Sequence, residues 1–430
     1  MEREASASLG YTTWQRAAGA DPPKRRCRAS QSTYERQTVR KLRVGVLLGG
    51  RSGEHEVSLV SAQSVIAALD RERYEVVPVG ITKEGRWVAA EGVVGMLTAG
   101  KVPAALAASL PADPAVRALA ALPGYEVAPE AAQPFDVIFP VLHGPLGEDG
   151  TVQGLLELAG IPYVGCGVLG SALGMDKAAQ KRMLLQAGIP VVDWLELRAV
   201  DWEQGEGGGA VDGLRRVRGA RPAILACAEE TLGLPLFVKP ANMGSSVGIS
   251  KAHDRAELEA GIADALRYDT KVVVEAAVPA AREIEVAVLG NDRPRASVPG
   301  EIVPSNEFYD YNAKYVDGAS AATIPADLPA DLTQRVRDLA VAAFQACEGE
   351  GMARVDFLLS GDTGDLYVNE LNTIPGFTSI SMYPKLWAAT GLPYPALLDE
   401  LIRLALERHQ ARSRLATSYQ PKEEWYRAGE

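Results

Sequence analysis

The stretch Gly351–Ser381, GMARVDFLLSGDTGDLYVNELNTIPGFTSIS, decides how the rest of this chain is read. Apolar runs at Ala353–Leu359 and Leu366–Val368 flank the turn-rich GDTGD, which predicts two antiparallel strands joined as a hairpin. Side chains alternate faces along a strand, so Arg354 shares a face with Asp356, and Glu370 with Asn372. A turn centred near Thr363 sets Asp356 opposite Glu370 and Arg354 opposite Asn372. Three oxygen donors and a guanidinium then meet on one patch of sheet. Hard oxygen ligands with room left for phosphate oxygens suit Mg2+. A solvated surface ion pair is the commoner origin of any single Asp or Glu. Four such residues mirrored on otherwise apolar strands favour a site.

Outward from the hairpin, 430 residues suffice for two or three domains with a sizeable core. A net charge of −11 argues against a general affinity for nucleic acid. No apolar run approaches the ~20 residues that a membrane helix needs, so no membrane insertion is expected. The four cysteines (Cys27, Cys166, Cys227, Cys347) form no CxxC, and free thiols in a reducing cytoplasm are the simplest reading. The four histidines are scattered too, which speaks against zinc.

Residues 1–43 differ from the rest: ten positive charges stand against four negative ones, aliphatics are few and there is no periodicity. The segment lacks the apolar run of a secretory signal, and its four acids count against a transit peptide. A disordered basic extension over 1–40, or a start site placed too early, is expected.

Order begins at Leu42. LRVGVLLGG reads as a buried strand, HEVSLVSAQSVIAALD as a helix and YEVVPVGIT as a second strand, a β-α-β alternation that implies a parallel sheet. GGRSG lacks the G-x-G-x-x-G pattern, and no acid ends the second strand, which argues against a nicotinamide enzyme. Residues 91–132 are rich in Ala and Pro and carry few signals. FDVIFPVLHG is another strand, and TVQGLLELAG and MDKAAQKRMLLQAG are helices, the latter with Asp176 as N-cap and its end at Gly188. Residues 201–220 are Gly-rich and charged and read as a surface insertion. LPLFVKPANMGSSVGISK is two strands around a loop, and Asp254 with Glu257 forms a capping-box pattern for the next helix. KVVVEAAV and REIEVAVLG are strands.

The loop Met243–Gly248 has the composition of a phosphate lid: glycines permit close backbone approach, and N–H groups with the Ser245 and Ser246 hydroxyls can bind anionic oxygens. Alone, such a loop is more often a hairpin turn. Lys239 precedes it on an apolar strand, where an ammonium must find an anion. Lys177 lies in the first turn of its helix, the positive end of the dipole, and so gains more from a bound phosphate than from its own helix. Glu275 and Glu283, at strand ends, read either as surface charges or as acceptors for adenine or ribose. His143 at a strand end is more often a satisfied structural residue than an acid–base group. Tyr309, Tyr311 and Tyr315 fit core aromatics, with only Tyr315 beside Lys314 reading as a site. Two lysines, a Gly-Ser loop and an Mg2+-like hairpin together suggest phosphoryl transfer from ATP.

The ordered set LLGGRSGEHEVS, LHGPLGEDG, SALGMDK, FVKP, GSSVGISK, EFYDYNAKY, ARVDF and NELNTIPGFTSIS resembles the D-alanine–D-alanine ligases of the ATP-grasp superfamily, from about Leu42 to near residue 405. The resemblance implies an α/β chain: an ATP-grasp fold preceded by an open parallel-sheet domain. It divides the chain into a substrate domain at 41–165, a central ATP-grasp subdomain at 166–275, a C-terminal one with the metal site at 276–405 and a tail at 406–430. The activity it implies is joining of two D-alanines for peptidoglycan precursors, with siblings that accept D-lactate or D-serine as alternatives and a nucleotide-binding regulator as the rival from another class.

The resemblance also assigns residues. Lys177 and Lys239 match ATP-phosphate lysines, Glu275 and Glu283 the adenine and ribose contacts, and Ala276, Ala277 and Val278 the adenine hinge, with Ala276 where some members carry Lys. Asp356, Glu370 and Asn372 match the ligands of two Mg2+ (or Mn2+) ions. Arg354 matches the guanidinium on the acyl phosphate and the Gly376 N–H its oxyanion partner. Glu56 matches the carboxylate for the first D-alanine's ammonium, with His143 nearby as an orienting group. Ser245, Tyr315 and Glu56 match a lid-closing triad, and Lys314 and Ser381 match substrate contacts. The resemblance further implies a cytoplasmic homodimer.

Overall fold

The computed structural model describes residues 40–303, 321–378 and 380–419. The expected extension at 1–40, apart from Arg40, lies outside that range, as do Lys314 and Tyr315. β1 (Leu42–Gly49) is buried along nearly its whole length. A strand flanked and covered on both faces must be apolar in this way. It runs parallel to β2 (Tyr74–Ile81), reached through α1 (His55–Ala68), and on its other side parallel to β6 (Val137–Pro140). Between them lie β3 (Trp87–Val88) and, within the Ala/Pro-rich segment, α2 (Val93–Thr98), β4 (Ala108–Ser109) and β5 (Ala120–Ala121). These short strands add an antiparallel flank, so the expected parallel sheet is parallel only over β2, β1 and β6. Elements of two residues are too short to show a periodic pattern. Because β1's neighbours leave in opposite directions, a crevice opens beyond the carboxyl ends of β1 and β6, where ligand sites form in such sheets.

Three helices follow: α3 (Thr151–Leu158), α4 (Val168–Met175) and α5 (Lys177–Gln186). Asp176 caps α5 as predicted, accepting from the Ala179 N–H at 3.0 Å. Such a cap contributes about 1 kcal/mol. The chain leaves the helix through Gly188, whose φ of +72° a side chain would resist.

The second sheet is antiparallel. It begins with β7 (Trp194–Arg198), followed by α6 (Ala199–Gln204), the small hairpin β8 (Ala210–Val211) and β9 (Val217–Arg218), and α7 (Arg221–Leu232). It is completed by β10 (Leu236–Pro240), β11 (Ser250–Ala252), α8 (Arg255–Ala265) and β12 (Lys271–Ala276), in the order β11-β10-β12-β7. The 201–220 segment is less loose than expected of a surface insertion. Trp202 and Val217 are buried and Arg216 pairs with Asp201 at 2.6 Å. At α8 the expected capping box forms in half: Asp254 accepts from Glu257 N at 2.9 Å, while the Glu257 carboxylate accepts from His253 N at 2.7 Å, one residue before the N-cap.

The third sheet comprises β13 (Ala281–Gly290), β14 (Arg295–Ala296), β15 (Gly300–Val303), β16 (Ala321–Thr323), β17 (Gly351–Ser360) and β18 (Leu366–Asn372), with α9 (Ala330–Ala346) packed on it. Asp356 stands opposite Glu370, and Arg354 opposite Asn372, the register that alternation predicts. One residue further on, Phe357 faces Val368, so Asn369 is an extra residue that re-aims the strand end.

After β18 the chain turns through Phe377 into α10 (Met382–Ala389) and α11 (Tyr394–Ser413). Phe377 meets Phe139 of β6 edge-on, with ring centroids 5.9 Å apart. Such a pair adds about 0.5–1.5 kcal/mol to its area burial. Leu397, Leu398 and Leu401 share one core with Val44, Val46 and Val137. The loop after β18 is thereby held against the first sheet's crevice. α11 continues past the expected tail boundary at 406, because Arg408 is buried with its guanidinium over the Tyr163 ring. Among the described residues no helix is long and apolar enough to cross a membrane.

Candidate active site

The hairpin patch assembles as the alternation requires. Arg354 donates two 2.7 Å hydrogen bonds to the two oxygens of Asp356, and Asn372 Nδ2 donates to Asp356 Oδ2 at 2.9 Å. Arg354 Nε also lies 3.2 Å from Glu285 Oε2. Burial alone would lower the Arg354 pKa, but the Asp356 and Glu285 charges outweigh it and hold the guanidinium firmly protonated. Glu285 is buried and stands opposite Asp356 on β13. Sequence reasoning missed it, although two-residue alternation from Glu283 pointed to it. Among the described residues no cluster of three or more His, Cys, Asp or Glu is arranged to hold a metal. The set here is two carboxylates and one amide, Asp356, Glu370 and Asn372, and such hard oxygen donors fit Mg2+ that keeps phosphate oxygens and water as its other ligands.

Beside this patch stand the lysines. Lys177 Nζ donates to Met243 O at 2.8 Å and lies 3.4 Å from Glu370 Oε2. Lys239 Nζ pairs with Glu275 Oε2 at 2.7 Å and donates to Asn369 Oδ1 at 3.2 Å. The other oxygen of Glu275 faces Lys181 Nζ at 2.9 Å. Burial opposes ionisation of Glu275, yet the Lys181 and Lys239 charges prevail and pull its carboxyl down to about 2. Burial also works to lower Lys239, and the Glu275 charge and hydrogen bond, aided by Glu370 and Glu283, reverse that and raise it. Lys181, fully buried and one helical turn after Lys177, is the second residue missed by sequence reasoning. The i, i+4 spacing on α5 was the available signal.

At the end of β12 two of the three hinge N–H groups are already engaged. Ala276 N donates to Asp193 O at 2.9 Å and Ala277 N to Pro235 O at 3.2 Å. Among the described residues the Val278 N–H has no such partner.

The loop after β10 carries left-handed backbone at Ser245, Ser246 and Gly248, with φ of 47°, 59° and 70°. It folds over the crevice of the first sheet, and there the carboxylate differs from expectation. Ser245 Oγ donates to Glu54 Oε1, not to Glu56. Glu54 is buried at the N-cap of α1, whereas Glu56 points to solvent and pairs with Lys83 at 2.5 Å. Two residues on a helix start are separated by roughly 200° of rotation, so both cannot face the crevice. Gly144 and Gly244 flank the Glu54 carboxylate so closely that a Cβ on either would approach Oε2 to 2.7 and 2.5 Å.

His143 is buried, with Nδ1 3.1 Å from Ile374 O and Nε2 3.4 Å from Ser61 Oγ, and burial lowers its pKa. It links the end of the first sheet to the loop after β18. Ser381 Oγ accepts from Thr378 N at 3.0 Å, and a Cβ on Gly376 would meet that oxygen at 2.8 Å. Glu148 accepts from Gly144 N at 2.8 Å, and burial followed by the Glu54 charge pushes its carboxyl up to about 8. Glu148, Lys177, Gly244, Glu370 and Asn372 line a narrow space of about 20 Å3. That holds about one water.

The family descriptions "D-ala D-ala ligase N-terminus" and "D-ala D-ala ligase C-terminus" match residues 43–166 and 183–403. The chain is 49% identical over 382 residues to the D-alanine–D-alanine ligase of Natranaerobius thermophilus, covering 89% of this chain and 99% of that protein. It is 50% identical over 384 residues to that of Heliobacterium modesticaldum, with the same coverage. Among solved structures it is similar to the D-alanine–D-alanine ligase of Coxiella burnetii, with a TM-score of 0.69 at 37% identity over 87% of this chain and 96% of that one. It is similar also to the VanG D-Ala:D-Ser ligase of Enterococcus faecalis, with a TM-score of 0.71 at 34% identity over 85% and 100%.

Proposed function

Because the chain belongs to the D-alanine–D-alanine ligase family, we propose that it uses ATP to join two D-alanines through an acyl phosphate, supplying the dipeptide for peptidoglycan precursors. A carboxylate is a poor acyl donor. Transfer of the γ-phosphoryl group onto it creates a leaving group, a second amino acid attacks as a neutral amine, and phosphate departs. The observation that carries this reading is the patch in which Arg354 lies among Asp356, Glu285 and Asn372, beneath a loop tied to Glu54. A protein that only bound nucleotide would have no use for a guanidinium fixed beside oxygen donors for an ion.

In this reading Glu54 receives the first D-alanine's ammonium, and Ser245 holds the lid to it. Arg354 and the Gly376 N–H face the oxyanion, each contributing about 2.7–4 kcal/mol to the barrier reduction. Lys177 and Lys239 take phosphate oxygens, the Val278 N–H and Glu275 take adenine, Glu283 the ribose and Ser381 the second carboxylate. Asp356, Glu370 and Asn372 would hold Mg2+, which when bound neutralises phosphate oxygens. The lid excludes water from the acyl phosphate. Residues 41–165 carry the substrate crevice, while 166–275 and 276–405 form the two sides of the nucleotide clamp. A cytoplasmic homodimer completes the reading. The described cysteines, all free, suit that compartment.

The decisive experiment measures ADP release and product mass with D-alanine, L-alanine, and D-alanine together with D-lactate or D-serine. ADP release and D-alanyl-D-alanine with D-alanine alone is expected. ATP binding without ADP release would favour the regulator, and dominant ester or D-alanyl-D-serine would favour a sibling ligase.

A further inference from the structure

Two ammonium groups share one buried carboxylate. Lys181 Nζ faces Glu275 Oε1 at 2.9 Å and Lys239 Nζ faces Oε2 at 2.7 Å. Lys181 is 0% exposed and Glu275 2%. The three side chains come from different elements: Lys181 from α5, Lys239 from β10 and Glu275 from β12. For holding Glu275 alone, one lysine is enough. A second ammonium on the same carboxylate leaves that three-residue group with one positive charge to spare, which Glu370 and Glu283 offset from further away and an arriving anion would offset directly.

The two lysines differ in reach. Lys239 sits at the rim, also touching Asn369 in the bulge beside the metal-type donors. Lys181 is sealed inside, and among the described residues Glu275 is the one carboxylate paired with it. We propose that Lys181 is the resident counter-ion of Glu275, whose role is to release Lys239 to the triphosphate while Glu275 stays ionised and in place for the base. Lys181 is thus a positioning residue that touches neither substrate. This rests on the reading of Lys239 as a phosphate lysine.

The physical consequence is a coupling between two lysines. Without Lys181, movement of Lys239 to phosphate strands a buried carboxylate with no partner, so Lys239 stays on Glu275 and the triphosphate loses its contact. Adenosine makes no demand on Lys239 and should bind as before. Calorimetric titration with ATP and with adenosine on the full chain tests this in Lys181→Met, Lys239→Met and the double variant. The expected result is a loss of at least tenfold in ATP affinity for Lys181→Met, with adenosine affinity within twofold of wild type. The double variant should be no weaker toward ATP than Lys239→Met, since both substitutions remove the same phosphate contact.

Equal losses for ATP and adenosine, or additive losses in the double variant, would overturn the proposal. If instead Lys239→Met fails to separate ATP from adenosine, the phosphate reading of Lys239 itself is at fault. Should Lys181→Met not fold, Lys181→Met combined with Glu275→Gln removes the stranded charge. In that background Lys239 is no longer tethered and is free to reach phosphate. Adding Lys239→Met as a third substitution should then weaken ATP at least tenfold and leave adenosine within twofold. If the third substitution leaves ATP affinity unchanged, the phosphate reading of Lys239 fails and the proposal that rests on it falls with it.

Discussion

Ser245 Oγ donates a hydrogen bond to Glu54 Oε1, tying the loop after β10 to the start of α1 across 191 residues of sequence. Glu54 therefore both closes the loop and faces the crevice, while its neighbour Glu56 is paired with Lys83 at the surface. Glu54→Gln removes the charge that would bind a substrate ammonium and weakens the bond to Ser245. Charge-assisted hydrogen bonds contribute about 1.5–3 kcal/mol, so kcat/KM for D-alanine should fall roughly tenfold to a hundredfold. Glu56→Gln loses an exposed ion pair worth at most about 1 kcal/mol of stability and should leave steady-state kinetics within about twofold. Kinetics of the two variants side by side would reverse the assignment if Glu56→Gln proved the more damaged.

Glu370→Gln tests the metal donors. The change is isosteric at a position opposite Asp356 and 3.4 Å from Lys177. Turnover should drop by at least about a hundredfold, ~2.7 kcal/mol, with the melting temperature nearly unchanged. The Mg2+ concentration for half-maximal rate should rise. Wild-type turnover at saturating Mg2+ would remove Glu370 from the set.

The hairpin was legible in the sequence because alternation puts Arg354 with Asp356, and Glu370 with Asn372, on shared faces; the turn register, with Leu359 opposite Leu366, would by itself set Asp356 against Asn369, and the extra residue there is what brings Glu370 opposite Asp356. The bulge at Asn369 was not, since it depends on which backbone bonds form rather than on residue type. Glu54 was passed over for Glu56 because the motif GEHE places acids on both sides of the helix start, and only the position of the N-cap decides which one faces inward. Lys181 hid among the polar residues of α5, where a lysine ordinarily means a solvated face. The 201–220 segment looked loose because its anchors, Trp202 and Val217, are isolated apolar residues separated by glycines.

Glu148 gives a pH prediction. Its carboxyl is pushed from an ordinary 4.5 up to about 8, by burial first and by Glu54 second, with Lys177 opposing and Glu370 adding to the rise. Between those values the folded chain holds a proton that the unfolded chain releases. The contribution is thus fully present below pH 4.5 and lost as pH rises toward 8. Glu148→Gln keeps an acceptor for the Gly144 N–H but does not titrate. From pH 5 to 8 the wild type should lose stability relative to this variant by up to about 1.4 kcal/mol per pH unit. Thermal melting across that range checks it, and parallel curves for the two proteins would mean that Glu148 is ionised throughout.

Two glycine substitutions separate a site effect from a helix effect. A Cβ on Gly244 would come within 2.5 Å of Glu54 Oε2, and the nearest atoms are all on that one side chain. The clash is relieved if Glu54 rotates away, which breaks its bond to Ser245 rather than unfolding the loop. Gly244→Ala should therefore mimic Glu54→Gln in part: kcat/KM for D-alanine falls, by about tenfold if one charge-assisted hydrogen bond is lost, while the melting temperature moves little. Gly154, inside α3, has nothing within 4 Å of a built Cβ. Gly154→Ala should stabilise the fold by about 0.5–1 kcal/mol, because alanine loses less backbone freedom in a helix, and it should leave kinetics unchanged. Melting curves and D-alanine kinetics on both variants decide the matter. If Gly244→Ala keeps full activity, the contact between the loop and Glu54 is not made during turnover, and the lid must close on some other group.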